Sequence, residues 1–67
     1  MLQNNLNILR GRKNITQEEL ANKVGVTRQT IIAIEKGNYT PSVLLAIKLA
    51  KYFNVSVEDL FDLTNEE

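Results

Sequence analysis

The stretch Thr16-Gln17-Glu18-Glu19-Leu20-Ala21-Asn22-Lys23-Val24-Gly25-Val26-Thr27-Arg28-Gln29-Thr30-Ile31-Ile32-Ala33-Ile34-Glu35-Lys36 decides how this chain folds. Its first four residues are a capping box. A threonine hydroxyl at the N-cap and a glutamate carboxylate three positions on satisfy each other's backbone amides, and a helix starts there. Leu20, Ala21 and Val24 recur at helical spacing as its inner stripe. Gly25 follows, the residue type that most readily takes the positive φ of a helix end. Val26 is an apolar plug for the angle between two helices, and Thr27 stands as the next N-cap. The spacing predicts a second helix over Arg28–Lys36, ended by Gly37. At about 100° per residue, Ile31 and Ile34 share one face. Gln29, Ile32, Ala33 and Lys36 point the other way, with Arg28 and Thr30 on the flanks. Ala21 is small, so the second helix comes in close, crosses steeply and projects outward.

Two capped helices joined by a glycine-containing turn of about four residues match the helix-turn-helix motif. The flanks read as further helix. Leu6, Leu9 and Lys13 fall at i, i+3 and i+7 in a segment over about Asn5–Lys13, whose end Gly11 weakens. Gly37-Asn38-Tyr39-Thr40 is turn chemistry. A fourth helix starts near Pro41-Ser42, with Thr40 or Ser42 as cap, and Val43, Ala46, Ile47, Ala50 and Phe53 are its expected core stripe. Asn54 closes it. Ser56 caps a last short turn, Val57–Phe61, in which Leu60 turns inward with Val55. No strand-like alternation is long enough to compete. The fold class is therefore all-α: five helices in a single domain over residues 1–67, with the motif at 16–36 and a short acidic tail at 62–67.

Composition narrows the function. The 67 residues are 43% hydrophobic and 24% charged, ordinary for a globular protein. A core this small supplies on the order of 3–5 kcal/mol, and dimerisation is the expected added support. There is no cysteine and no histidine. Zinc fingers, cysteine proteases and Ser-His-Asp hydrolases are excluded, and neither metal nor cofactor is expected. No glycine-rich phosphate loop occurs, and no carboxylate pairs with another catalytic type across a predicted cleft, so an enzyme is not expected. No apolar run approaches the roughly 20 residues of a membrane span, and Met1–Asn5 lacks the pattern of a signal peptide, so the chain reads as cytoplasmic. The zero net charge conceals an asymmetry. Residues 1–51 carry all eight basic groups against Glu18, Glu19 and Glu35, a net of +5, whereas residues 52–67 carry five acids and no base, a net of −5. A basic binding face with an acidic rear disfavours misoriented docking on a polyanion.

The sequence resembles the Cro and phage-repressor type of helix-turn-helix, the xenobiotic-response-element (XRE) family. The carrying residues are Leu9-Arg10, Thr16-Gln17-Glu18-Glu19-Leu20-Ala21, Gly25-Val26-Thr27-Arg28, Ile31, Ile34-Glu35-Lys36-Gly37, Pro41-Ser42 and Val55-Ser56-Val57-Glu58-Asp59-Leu60-Phe61. The resemblance covers roughly residues 5–61 without a gap. The resemblance implies a five-helix domain whose third helix lies in the major groove of double-stranded DNA. On that helix Arg28, Gln29, Ile32 and Ala33 are the base-contacting candidates. Arginine bridges guanine O6 and N7, glutamine adenine N6 and N7, and small apolar groups touch the thymine methyl. Ile32 departs from the family, which usually has a polar or small residue there. Thr16, Gln17, Thr27, Thr30, Lys36, Asn38, Tyr39 and Ser42 fall at backbone-contacting positions. Helix starts at Gln17 and Ser42 also present free amides suited to phosphate. Arg10 and Glu35 match a family ion pair between the first helix and the end of the third.

These features point to a sequence-specific transcriptional regulator, expected to be a repressor, binding a near-palindromic operator as a homodimer. One recognition helix covers too few bases, so two act together. Val57 and Phe61 at i, i+4, extended by Leu63 and Tyr39, are the expected dimer patch. Small dimeric relatives imply a two-stranded ribbon pairing Leu2-Gln3 with Asp62-Leu63. The alternative is a protein-interaction helix-turn-helix module such as an antitoxin. The handful of residues after Phe61 leaves little room for a toxin-binding segment, and no small-molecule effector pocket is expected.

Overall fold

Four helix starts are set by one hydroxyl each. Thr16, Thr27, Ser42 and Ser56 sit in extended conformation, and each side-chain oxygen accepts the backbone N–H three residues on. These caps begin α2 (Gln17–Val24), α3 (Arg28–Glu35), α4 (Val43–Phe53) and α5 (Val57–Leu60). Ser42, not Thr40, caps α4. At α2 the full capping box forms, with Thr16 N–H donating to Glu19 Oε1 at 2.8 Å and Glu19 N–H to Thr16 Oγ1 at 3.0 Å. The first helix, α1 (Leu6–Lys13), starts differently. Its N-cap Asn5 makes no side-chain cap bond, and Leu6 N–H donates instead to Asn4 Oδ1 at 3.1 Å. α1 runs on through Gly11. The chain leaves α2 through Gly25 at φ 77°, and Asn14 and Asn54 take the same left-handed role after α1 and α4 at φ 58°.

The computed structural model describes the backbone of residues 2–63 and the side chains of residues 4–61. The helices enclose one apolar cluster: Leu6 from α1, Leu20, Ala21 and Val24 from α2, Ile31 and Ile34 from α3, Leu45, Leu49, Ala50 and Phe53 from α4, and Leu60 from α5. Val26 and Val55 pack partly against it, as plugs at their turns.

The buried face of α4 differs from the expected one. Leu45 and Leu49 replace Val43, Ala46 and Ile47; Val43 and Ile47 are exposed and Ala46 is half-buried. The helix is rotated by less than one residue step, about 100°. The cause is that α4 is apolar on nearly every side at Val43, Leu44, Leu45, Ile47 and Leu49. Spacing alone fits more than one phase. The packed phase aligns Leu45, Leu49 and Phe53 at i, i+4 and i+8 toward the core.

A short ribbon joins the two ends of the described chain. β1 (Leu2–Asn4) runs antiparallel to β2 (Phe61–Leu63), with Leu2 opposite Leu63, Gln3 opposite Asp62 and Asn4 opposite Phe61. The expected pairing therefore forms, and Phe61 belongs to the ribbon rather than to α5. Asn5 N–H donates to Leu60 O at 2.9 Å and Asn5 Nδ2 to Asp59 O at 2.9 Å. Asn4 Nδ2 reaches Ile34 O at 2.8 Å, fastening the ribbon to the carboxyl end of α3. Among the described residues no helix is long and apolar enough to cross a membrane, and no His/Cys/Asp/Glu group could hold a metal.

Candidate nucleic-acid interface

Burial of Ile31 and Ile34 fixes which side of α3 looks outward. Arg28, Gln29 and Lys36 are exposed there, and Ile32 and Ala33 are half-buried. Among the described residues neither Arg28 nor Gln29 makes a side-chain hydrogen bond or ion pair within the chain. Both keep their donors free. Ile32 lies one turn after Arg28 and one turn before Lys36, so the outward face reads basic, apolar, basic along its length.

Two open depressions bracket the start of α3. One is lined by Arg10, Asn14, Ile15, Thr16, Gln17, Glu18 and Arg28, and it brings the amino end of α2 beside Arg28. The other is lined by Val24, Gly25, Val26, Thr30, Tyr39, Ser42, Leu44, Leu45 and Lys48, and it gathers Thr30, Tyr39 and the amino end of α4. The helix starts at Gln17 and Ser42 thus lie on either side of α3. Each offers first-turn amides with a partial positive charge. Thr27 caps α3 between them, and its hydroxyl lies 3.1 Å from that of Thr30. Lys36, Asn38 and Tyr39 are exposed past the carboxyl end of α3.

A part-buried ionic network holds α3 in this position. Arg10 Nε donates to Glu35 Oε2 at 2.8 Å and Arg10 Nη2 to Glu35 Oε1 at 3.4 Å. The two side chains are only 17% and 6% exposed. Arg10 Nη1 also donates to Ile15 O at 3.0 Å. Gln17 Nε2 donates to Glu35 Oε1 at 3.0 Å. The side chain of Gln17, placed at a DNA-backbone position by resemblance, is therefore turned inward. Sequence reasoning missed this bond. Nothing in the spacing of Gln17 and Glu35 marks it, since it exists only once α1, α2 and α3 converge. It likewise missed Asn4, whose anchor on Ile34 O has no local signature.

The residues of the expected dimer patch lie on the loop after α3 (Tyr39), on α5 (Val57) and on β2 (Phe61 and Leu63), and Phe61 N–H donates to Val57 O. Tyr39 borders the second depression. Val57 is 40% exposed. Phe61 packs partly into the chain's own core. The side chain of Leu63 lies outside the described residues.

Residues 6–60 match the family model described as helix-turn-helix. The chain belongs to the Cro/C1-type helix-turn-helix family. It is a helix-turn-helix DNA-binding regulator by that membership. A protein of Methanocaldococcus jannaschii named an uncharacterized HTH-type transcriptional regulator is 54% identical over 66 residues, spanning 98% of this chain and 100% of that one. The cryptic phage CTXphi transcriptional repressor RstR of Vibrio cholerae is 37% identical over 60 residues, 90% of this helix-turn-helix chain but 54% of RstR. The crystal structure of a candidate DNA-binding protein from Bacteroides fragilis matches the fold with a TM-score of 0.80 at 26% identity, covering 92% of this chain and 100% of that one.

Proposed function

We propose that this helix-turn-helix chain is a cytoplasmic, sequence-specific repressor without catalytic activity that binds a near-palindromic operator as a homodimer, with α3 in the major groove. The observation that carries it is the free, exposed pair Arg28 and Gln29 on a helix bracketed by the amino ends of α2 and α4. A helix seated in the groove has a phosphate backbone on each side, and helix N-termini suit phosphate. Arg28 is matched to guanine and Gln29 to adenine, while Ile32 and Ala33 present methyl-sized apolar surface to thymine. Thr16, Thr27, Thr30, Lys36, Asn38, Tyr39, Ser42 and the Gln17 amide position the helix on the backbone. Repression is supported by the likeness to RstR. The residues 1–67 act as one domain in which Arg10 and Glu35 are structural. Selection of bound fragments from random double-stranded DNA, followed by sequencing, tests this directly. The expected result is a two-fold-related site whose half-sites lie about 34 Å, one DNA turn, apart. Recovery of no preferred sequence would sink the proposal in favour of a protein-binding module.

A further inference from the structure

Residues 1–51 hold three acids, Glu18, Glu19 and Glu35, and two of them already have partners within the chain. Glu35 takes Arg10 and Gln17. Glu19 closes the capping box with Thr16. Among the described residues the Glu18 side chain makes no hydrogen bond or ion pair. It is exposed in the first turn of α2, and it borders the same open depression as Arg28. A negative group in a first turn suits the helix dipole, but Glu19 already supplies one at that end. What Glu18 adds is a second negative charge beside the start of α3, where a surface built only to hold phosphate would avoid it. Two arginines line the depression with Glu18. Arg10 has Nε, Nη1 and Nη2 committed to Glu35 and to Ile15 O. Arg28, exposed and unpaired within the chain, is left as the cation for Glu18.

We propose that Glu18 is a specificity-determining residue, whose carboxylate steadies the Arg28 guanidinium on guanine and keeps it off the phosphate backbone. The inference rests on the function proposed above, in which α3 lies in the major groove. In water an exposed pair of this kind gains little, because the attraction is weak and two long side chains must be held together. Seating α3 in the groove strips water from Arg28, and the attraction strengthens as the local dielectric falls. The guanidinium carries five N–H donors in a rigid fork. Guanine O6 and N7 take two of them, and the others remain for a carboxylate at the side of the fork. On a sequence without guanine at that position, the same group turns to a phosphate oxygen, a strong charged acceptor. Glu18 competes for those donors and repels that phosphate. It therefore takes little from the correct complex and more from the wrong ones, so specificity is gained by penalising the alternatives.

Titration of the whole chain on a duplex carrying its selected site, and on a scrambled duplex, tests the inference. Glu18→Gln keeps the length and helix-forming character of an exposed side chain, so helical circular dichroism should be unchanged. Its ratio of cognate to scrambled affinity should fall about threefold or more, a part of what the loss of a bidentate guanine contact removes. Most of the fall should come from tighter binding to the scrambled duplex, and the relaxed base pair should be the one that Arg28→Ala also relaxes. In an Arg28→Ala chain, adding Glu18→Gln should leave the ratio where it is. Glu58→Gln, on α5 and not among the residues lining the depression, removes the same charge and should leave the ratio of the parent intact. If the parent prefers its site and Glu18→Gln keeps the full ratio, the inference is overturned and the proposed function stands. Equal tightening on both duplexes also overturns it, because a general field effect does that. So does a ratio that falls equally with and without Arg28. A parent chain that prefers no duplex overturns the function and the inference together.

Discussion

α3 and α4 solve the same packing problem and leave opposite remainders. Each buries one stripe against the shared core, Ile31 and Ile34 from α3, and Leu45, Leu49, Ala50 and Phe53 from α4. What α3 leaves outside is Arg28, Gln29 and Lys36 around a half-buried Ile32, whereas α4 leaves Val43, Leu44 and Ile47. A polar outer face tells its own direction, because burying an unpaired guanidinium or amide is costly. An apolar outer face does not, because each of its side chains would be equally content inside. The outward polar face is thus marked in the sequence, and the outward apolar face is disguised as core.

The largest expected effect concerns what holds α3 against the other helices. Glu35→Ala strands Arg10 with its charge largely buried, and removing one partner of such a pair costs about 3–5 kcal/mol. Urea unfolding of Glu35→Ala, Arg10→Ala and the double variant should give a coupling well above the roughly 0–1 kcal/mol of an exposed pair. Additivity would mean that the Arg10–Glu35 pair adds nothing to what otherwise holds α3.

The contrast between the two faces of α4 comes next. Leu49→Ala, at a site fully enclosed, should cost about 2–5 kcal/mol in the same measurement. Val43→Ala, monitored under conditions where the chain is monomeric, should stay within about 0.5 kcal/mol, as for other surface changes. Equal costs would return Val43 to the core.

On α3, Arg28→Ala and Gln29→Ala should each lose about 1–3 kcal/mol of operator binding and relax preference at one base position. Titrating cognate and scrambled duplexes in parallel reads both quantities. Full discrimination retained by both variants would take α3 out of the groove. Binding should also be steep in salt despite the zero net charge, each phosphate contacted adding about −0.9 to the slope of log K against log salt. A slope near zero would favour a protein-binding role for the outer face of α3.

The smallest effect sharpens the exception on α3. If Ile32 meets a thymine methyl, replacing that thymine by deoxyuridine should weaken binding by less than the loss of a bidentate contact, which is worth about 1–3 kcal/mol. Ile32→Ala should abolish the sensitivity. Deoxyuridine tolerated at every position would assign Ile32 to shielding the flank of α3.

How much of this was legible follows from the same distinction. The starts of α2, α3, α4 and α5 are local events, a hydroxyl and an amide three residues apart, so Thr16, Thr27 and Ser56 announce three of them, and the fourth is announced by Thr40 or Ser42, between which the structure chooses Ser42. Gly25 and Asn54 announce two of the exits. The five helices, their limits to within a residue or so and the outward face of α3 could all be read that way. The phase of α4 could not, since Val43 through Leu49 satisfies a helical stripe in more than one rotation. Nor could the Gln17–Glu35 bond or the Asn4 anchor be read, because each joins residues whose proximity is a product of the finished fold. Arg10 and Glu35 became legible through family resemblance, not through their spacing.

The ribbon has a consequence for the order of events in time. Asn5 and Asp59, bonded across it, are 54 positions apart, so its closure waits on nearly the whole chain, and the entropy of that closure is recovered only once the helical core has brought the ends together. It should therefore zip last and open first. Because Asn4 ties it to Ile34 O, each opening also releases the carboxyl end of α3. Amide hydrogen exchange should find the strand amides and the last turn of α3 opening as one low-energy unit, well below the free energy that protects Leu20 and Leu49. The segment just past α3 is, in this sense, hinged to the strands β1 and β2.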